Sequence, residues 1–335
     1  MTIESCENRT DITENAGPFV SAAMFATGVL GNVLALVILA MHKRDLKSKM
    51  SLFHILVSSL IITDLVGTLI ISPMVLTAYA RGRTLLALSL CSYCAFAMAF
   101  FGLCSMFILF AMAVERCLSL SCPYFYQRHA SNRCGLITIP AIYIFCLIFC
   151  SLPLLKFGIN AQYCPGTWCF IKMEVWNVEV KHRVYSLSYA VLMKVLIISI
   201  LLCNISVIVN LCRMYQRQKT RRHSSAHRTR KHQHSQSEEV DHLVLLAIMT
   251  TTFVICSVPL TIRAYIGAFH NVENDGNDLV ALRCLSFNSI IDPWVFIILN
   301  TTVFRKILSR ILYCKITSKR KQLHCNTDKS IEILT

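Results

Sequence analysis

Long runs without charge alternate with short basic segments, and that alternation organises the chain. Seven apolar stretches emerge, at about 19–41, 50–80, 85–121, 135–157, 183–213, 240–267 and 279–302. Each is long enough to cross a hydrocarbon layer of ~30 Å as a helix, the open-ended element that satisfies its own backbone in lipid. The pattern predicts an all-α membrane protein, a seven-transmembrane helix bundle. Beyond the last span, Phe304, Ile307, Leu308, Ile311 and Leu312 share one helical face, with Arg305, Lys306 and Arg310 opposite. That spacing predicts a short amphipathic cytoplasmic helix over 303–314, lying on the inner leaflet. A cytoplasmic tail follows over 315–335. Residues 1–18 are polar and acidic, so the first span is expected to serve as both targeting signal and anchor.

Composition agrees. A mean hydropathy of +0.56, with 55% hydrophobic and 15% charged residues, leaves too few polar groups to cover a water-soluble surface. The net charge of +15 does not indicate nucleic acid, because its positions follow topology. Lys and Arg concentrate in the first inner loop (Lys43, Arg44, Lys47, Lys49), the third (Arg213 to Lys231) and the tail (Arg305 to Lys329). This bias sets the N-terminus outside and the C-terminus inside. The third loop, Arg213 to Gln236, has no apolar face, and its centre is expected to lack fixed structure. Its His223, His227, His232 and His234 have no Cys or carboxylate among them, so no metal site is expected. Nothing calls for a cofactor.

Of 17 cysteines, topology places four outside: Cys6, Cys91, Cys164 and Cys169. Four cysteines allow three pairings, and spacing does not choose among them. Asn8-Arg9-Thr10 is an outward glycosylation acceptor, whereas Asn204-Ile205-Ser206 and Asn300-Thr301-Thr302 lie in or beneath the membrane. Cys314 ends the amphipathic helix, where a palmitoyl anchor would sit.

Ionisable groups inside spans are costly and mark candidate function. Asp64 and Asp292, with Asn32 and Asn288, suggest a buried polar cluster able to hold water or a sodium ion, or a network that only fixes packing. Arg283, four residues past Leu279, has the depth expected of the floor of an outward-facing pocket. There a guanidinium can grip a carboxylate with two hydrogen bonds; the competing reading is snorkelling to the outer headgroups. Glu115-Arg116 closes the third span at the cytoplasmic face, as a clasp that a cytosolic partner would break. Lys194, eleven residues after Arg183, is given no role.

Together, Gly31-Asn32, Asp64, Glu115-Arg116-Cys117, Pro259 and Asp292-Pro293 resemble the rhodopsin-like G-protein-coupled receptors. Cys256-Ser257-Val258-Pro259 lacks that family's usual Trp, and Asp292-Pro293-Trp294-Val295-Phe296 has Phe in place of its usual Tyr. With the outer loop Gln162-Tyr163-Cys164-Pro165-Gly166-Thr167-Trp168-Cys169-Phe170, these features resemble the prostanoid receptors. Ala113-Val114-Glu115-Arg116-Cys117-Leu118, Cys212-Arg213-Met214-Tyr215 and Pro259-Leu260-Thr261-Ile262-Arg263 lean toward the prostacyclin branch, while the prostaglandin E2 and D2 branches share much of this. Leu282 and Cys94 depart from that branch at positions where it usually has aromatics.

The resemblance implies a lipid prostanoid agonist whose carboxylate pairs with Arg283, helped by Thr167, Trp168 and Tyr79. It implies disulfides Cys91–Cys169 and Cys6–Cys164, and switching through Asp64, Glu115, Arg116, Pro259, Asp292 and Pro293. It further implies a plasma-membrane receptor that couples to the stimulatory G protein and raises cyclic AMP, with arrestin and receptor kinases as later partners. A transporter would show repeated halves, which seven spans do not supply. An intramembrane metalloprotease would show His-Glu-x-x-His, which is absent from the sequence.

Overall fold

The structure, a computed structural model, describes residues 6–12, 17–45, 52–129, 132–176, 178–222, 230–269 and 275–300. The expected amphipathic helix over 303–314, the tail and Cys314 lie outside the described residues. Eight helices are described: α1 (Phe19–Asp45), α2 (Leu52–Arg81), α3 (Cys91–Ser121), the short α4 (Pro123–His129), α5 (Asn132–Ser151), α6 (Val180–Arg222), α7 (Arg230–Phe269) and α8 (Asp275–Asn300). All but α4 are long and apolar enough to cross a membrane. Between α5 and α6 the chain forms an antiparallel hairpin, β1 (Asn160–Tyr163) with β2 (Trp168–Ile171), in which Gln162 pairs with Cys169.

Burial ranks the helices. In its most apolar window α3 is 61% buried, against 22% for α1 and 17% for the fourth span, so α3 is the central post and the other two face lipid. It packs against α2, α5 and α6, while α8 packs against α1 and α7. Lipid tails supply no hydrophobic drive between helices, so close packing and polar ties carry the assembly. Tyr143 on α5 and Thr63 on α2 share a hydrogen bond of 2.6 Å. Asn204 on α6 donates to Thr250 Oγ1 on α7 at 2.5 Å, which accounts for an amide inside a span. At Gly31 a Cβ would meet the Trp294 indole at 2.7 Å, so α1 and α8 approach as closely as glycine permits.

Several helix ends differ from the apolar runs. The third helix starts at Cys91 rather than near Leu85, because Leu85–Leu90 turns back on itself and Leu90 N–H donates to Leu85 O at 2.9 Å. α5, the fourth span, gives way after Ser151 to a single tight turn, Leu152–Leu155, with Pro153 at its start. α6 runs on to Arg222 and α7 begins at Arg230, because Arg, Lys and Gln sustain a helix without an apolar face. Residues 223–229 lie outside the described residues. α8 begins at Asp275, one turn before the apolar run, so Arg283 lies ~12 Å along the helix from its start.

Candidate ligand-binding site

The hairpin is a lid over the outer end of the bundle. A disulfide joins Cys169 on β2 to Cys91 at the head of α3. Cys164 in the hairpin turn is also disulfide-bonded, and the side chain of Cys6 lies outside the described residues. Gly166 makes the turn possible: its φ is +101°, and a Cβ there would run into Thr84. Its carbonyl accepts from Leu85 N–H at 2.9 Å. Thr84 Oγ1 and Gln162 Nε2 both donate to Arg9 O, at 2.8 and 3.1 Å, and Lys172 pairs with Glu7 at 2.6 Å, so the N-terminal segment is fastened under the lid. Asn8 remains exposed on its outer side. Tyr163 O–H donates to Ile171 O at 3.0 Å and accepts from Met173 N–H at 2.9 Å, and burial pushes its phenol well above the usual range. Two further ties reach opposite sides of the bundle. Thr167, fully buried, donates to Tyr79 OH on α2 at 3.2 Å, and Val175 N–H donates to Gly267 O on α7 at 3.1 Å.

Beneath the lid lies a cavity of about 900 Å³, its open mouth included, walled by α1, α2, α3 and α8, with Phe253 of α7. Trp168 faces it from the lid, and Met24, Ile71, Val75, Met98, Phe101 and Leu285 make its sides apolar. Moving inward the lining turns polar, through Ser72, Thr68, Ser289 and Asn288 to Ser105 and Asp64. A mainly apolar chamber with a few convergent polar groups has the character of a small-molecule site.

Arg283 stands on the α8 wall. Ser286 and Ile290, three and seven residues on, lie on the same stripe and line the cavity. Arg283 itself is outside that lining, one turn farther out, and helical side chains lean toward the N-terminus, here outward. The structure thus sets Arg283 one turn outward of the lining residues Ser286 and Ile290. The Arg283 Nε is enclosed without a hydrogen-bond partner, and so is the indole Nε1 of Trp168. An unpaired buried N–H donor is costly, so each of these groups would gain from an acceptor.

The polar cluster is fully buried: Asn32, Asp64, Asn288 and Asp292 are at most 5% exposed. Ser105 Oγ donates to Asp64 Oδ1 at 2.8 Å, Asn32 Nδ2 donates to Ser289 O at 3.1 Å, and Asn288 Nδ2 donates to Ser257 Oγ at 3.4 Å. The other oxygens of Asn32, Asp64 and Asn288 and both of Asp292 have no partner, an oxygen-rich set suited to water or a small cation. At the cytoplasmic end, Arg116 Nε lies 3.0 Å from Glu115 Oε2, and its guanidinium sits 3.9 Å from the Phe53 ring centroid. Tyr126 on α4 donates to Glu115 Oε1 at 2.5 Å. Pro259 and Pro293 lie inside α7 and α8, where each removes a backbone donor and allows a bend.

Residues 31–296 match the 7 transmembrane receptor (rhodopsin family). The chain belongs to that family. It is a multi-pass membrane receptor and not an enzyme, and it falls in the prostanoid group. It is 47% identical to the human Prostaglandin E2 receptor EP2 subtype, over 97% of this chain and 94% of the relative. It is likewise 47% identical to the human Prostacyclin receptor, over 91% of this chain and 78% of the relative. Squid rhodopsin superposes with a TM-score of 0.73 at 15% identity, covering 87% of this chain and 78% of rhodopsin, a likeness of fold.

Within this receptor the structure brings Trp168 into the cavity lining and Thr167 and Tyr79 into one contact, while Arg283 stands one turn outward of the α8 residues that line the cavity. It also supplies partners that the sequence did not reveal. Arg263 on α7 pairs with Asp278 on α8 at 2.5 Å, and Lys194 on α6 lies 5.3 Å from the Tyr265 ring centroid. Asp278 fell just before the last apolar run, so nothing marked it as facing Arg263.

Proposed function

We propose that this receptor responds to a lipid prostanoid whose carboxylate pairs with Arg283 while its chains occupy the cavity beneath the lid. The observation that carries the reading is the enclosed, unpartnered Nε of Arg283, one turn outward of the α8 residues that line an apolar chamber. Charge-assisted pairs are strong where water is excluded, and a two-pronged guanidinium suits a carboxylate. Trp168, with its free N–H, and Thr167, held by Tyr79, complete the mouth from the lid side.

Agonist binding favours an open state in which α7 swings below Pro259, the Glu115–Arg116–Tyr126 contacts part, and the stimulatory G protein engages to raise cyclic AMP. Such a shift requires the agonist to bind the open state more tightly than the closed one. Arrestin and receptor kinases would use the same inner face. Asp64 and Asp292, with any water or sodium ion between them, would link the cavity floor to that face.

Prostacyclin and prostaglandin E2 are the two leading agonists. The motifs around Glu115, Cys212 and Pro259 favour prostacyclin; the longer matches to the E2 relatives, 94% of their length against 78%, favour prostaglandin E2. Cyclic AMP in cells bearing the receptor, given prostacyclin analogues, prostaglandin E2 and prostaglandin D2, decides between them. A nanomolar response to one of these is expected, and silence toward all three at confirmed surface expression would refute the reading.

A further inference from the structure

Lys194 is a cation in the middle of an apolar helix, on its exposed face, between Val191 and Val195, which are 43% and 53% exposed. It lies about 16 Å along α6 from Arg183, which marks the outer end by stacking near Trp176 and Phe269. Among the described residues no carboxylate pairs with Lys194; its one recorded neighbour is the Tyr265 ring of α7, at 5.3 Å. A lipid-facing charge is expensive and calls for a partner.

The seam beside it is hollow. A narrow cleft of about 260 Å³, its open side included, lies between α6, α7 and β2, lined among others by Tyr189, Ala190, Met193, Leu260, Thr261 and Ala264. Lys194 follows Ala190 by one helical turn, and Tyr265 follows Thr261 by one turn, so both stand at its membrane-side edge. Tyr189 is 3% exposed, lines this cleft, and has a hydroxyl without a hydrogen-bond partner. The seam and the cavity beneath the lid share no lining residue, although α7 and β2 border both.

We propose that the α6–α7 seam is a second, membrane-facing site for a single-chain or two-chain amphiphile with an anionic head. The head, a carboxylate or a phosphate, pairs with Lys194 above Tyr265. The adjoining apolar segment enters the seam cleft, which is too small for a whole lipid but open to one end of a chain. A ligand there bridges α6 and α7, the helices whose inner ends must separate for signalling, and so biases that separation without entering the first cavity.

The test uses the full-length receptor in phosphatidylcholine nanodiscs and two photoreactive probes: palmitate with a diazirine on its chain, and phosphatidylglycerol with the same acyl chain. Saturable labelling of peptides from the seam, competed by the unlabelled lipid, is expected from at least one probe. Labelling by palmitate alone identifies a free carboxylate as the ligand; labelling by phosphatidylglycerol identifies a headgroup phosphate. Lys194→Met and Lys194→Gln should each lower seam labelling about tenfold, the loss of one charge-assisted pair, and Lys194→Arg should restore it. Arg283→Ala should leave it in place. Non-saturable labelling, labelling indifferent to Lys194→Met and Lys194→Gln, or loss in Arg283→Ala would each overturn the assignment.

Discussion

A single phenol caps the Glu115–Arg116 pair that is proposed to act as a cytoplasmic clasp. Tyr126 donates at 2.5 Å to Glu115, whose side chain is nearly buried, and both burial and the neighbouring Glu115 carboxylate push the Tyr126 hydroxyl above its usual range. Removing the hydroxyl leaves Glu115 with Arg116 alone. Tyr126→Phe is therefore expected to cost the closed state about 1 kcal/mol and to raise agonist-free cyclic AMP about fivefold per surface receptor. Unchanged basal cyclic AMP would show that this contact does not hold the clasp. Residues of this kind were only partly legible in the sequence. Asp64, Asp292 and Arg283 stand out because a charge in an apolar run is expensive and conspicuous. Tyr126, Ser105 and Asp278 do not, because a tyrosine in a loop, a serine in a span and an acid before one carry no signature until the helices are packed.

At the scale of elements, the outer ends of α7 and α8 are joined by Arg263 and Asp278, whose side chains are each 11% exposed. A pair so shielded from water and so short couples its helices more strongly than a surface pair. A double-mutant cycle of Arg263→Ala and Asp278→Ala, read as melting of the purified receptor, is expected to give a coupling of about 1–2 kcal/mol. Strictly additive losses would show the helices to be independent there. The Arg263–Asp278 pair exists because α8 starts at Asp275, a turn earlier than apolarity alone suggests. Spans were legible as runs of apolar residues; their ends were not, since helices continue past the membrane wherever side chains tolerate water. The hairpin was hidden too. Its strands have four residues each, and its turn depends on Gly166 fitting beside Thr84, a contact made across the fold.

For the whole molecule, lid, cavity and polar cluster lie along one line from the outer face to the bundle centre. The lid is held to α3 by the Cys91–Cys169 bond, to α2 through Thr167 and to α7 through Val175, so a ligand beneath it touches a structure already tied to the helices that must move. The chamber widens between α1, α2, α3 and α8 and ends at Asp64, above a set of unpartnered oxygens. In the proposed function, Arg283 joins the ligand to this line. The direct test is competition binding of a prostanoid acid and its methyl ester to the wild-type receptor and to Arg283→Ala. The acid is expected to lose about 100-fold in affinity in the variant, roughly 3 kcal/mol for an anchoring charge pair, while the ester binds both proteins alike. Equal affinity of the acid for both receptors would contradict the account.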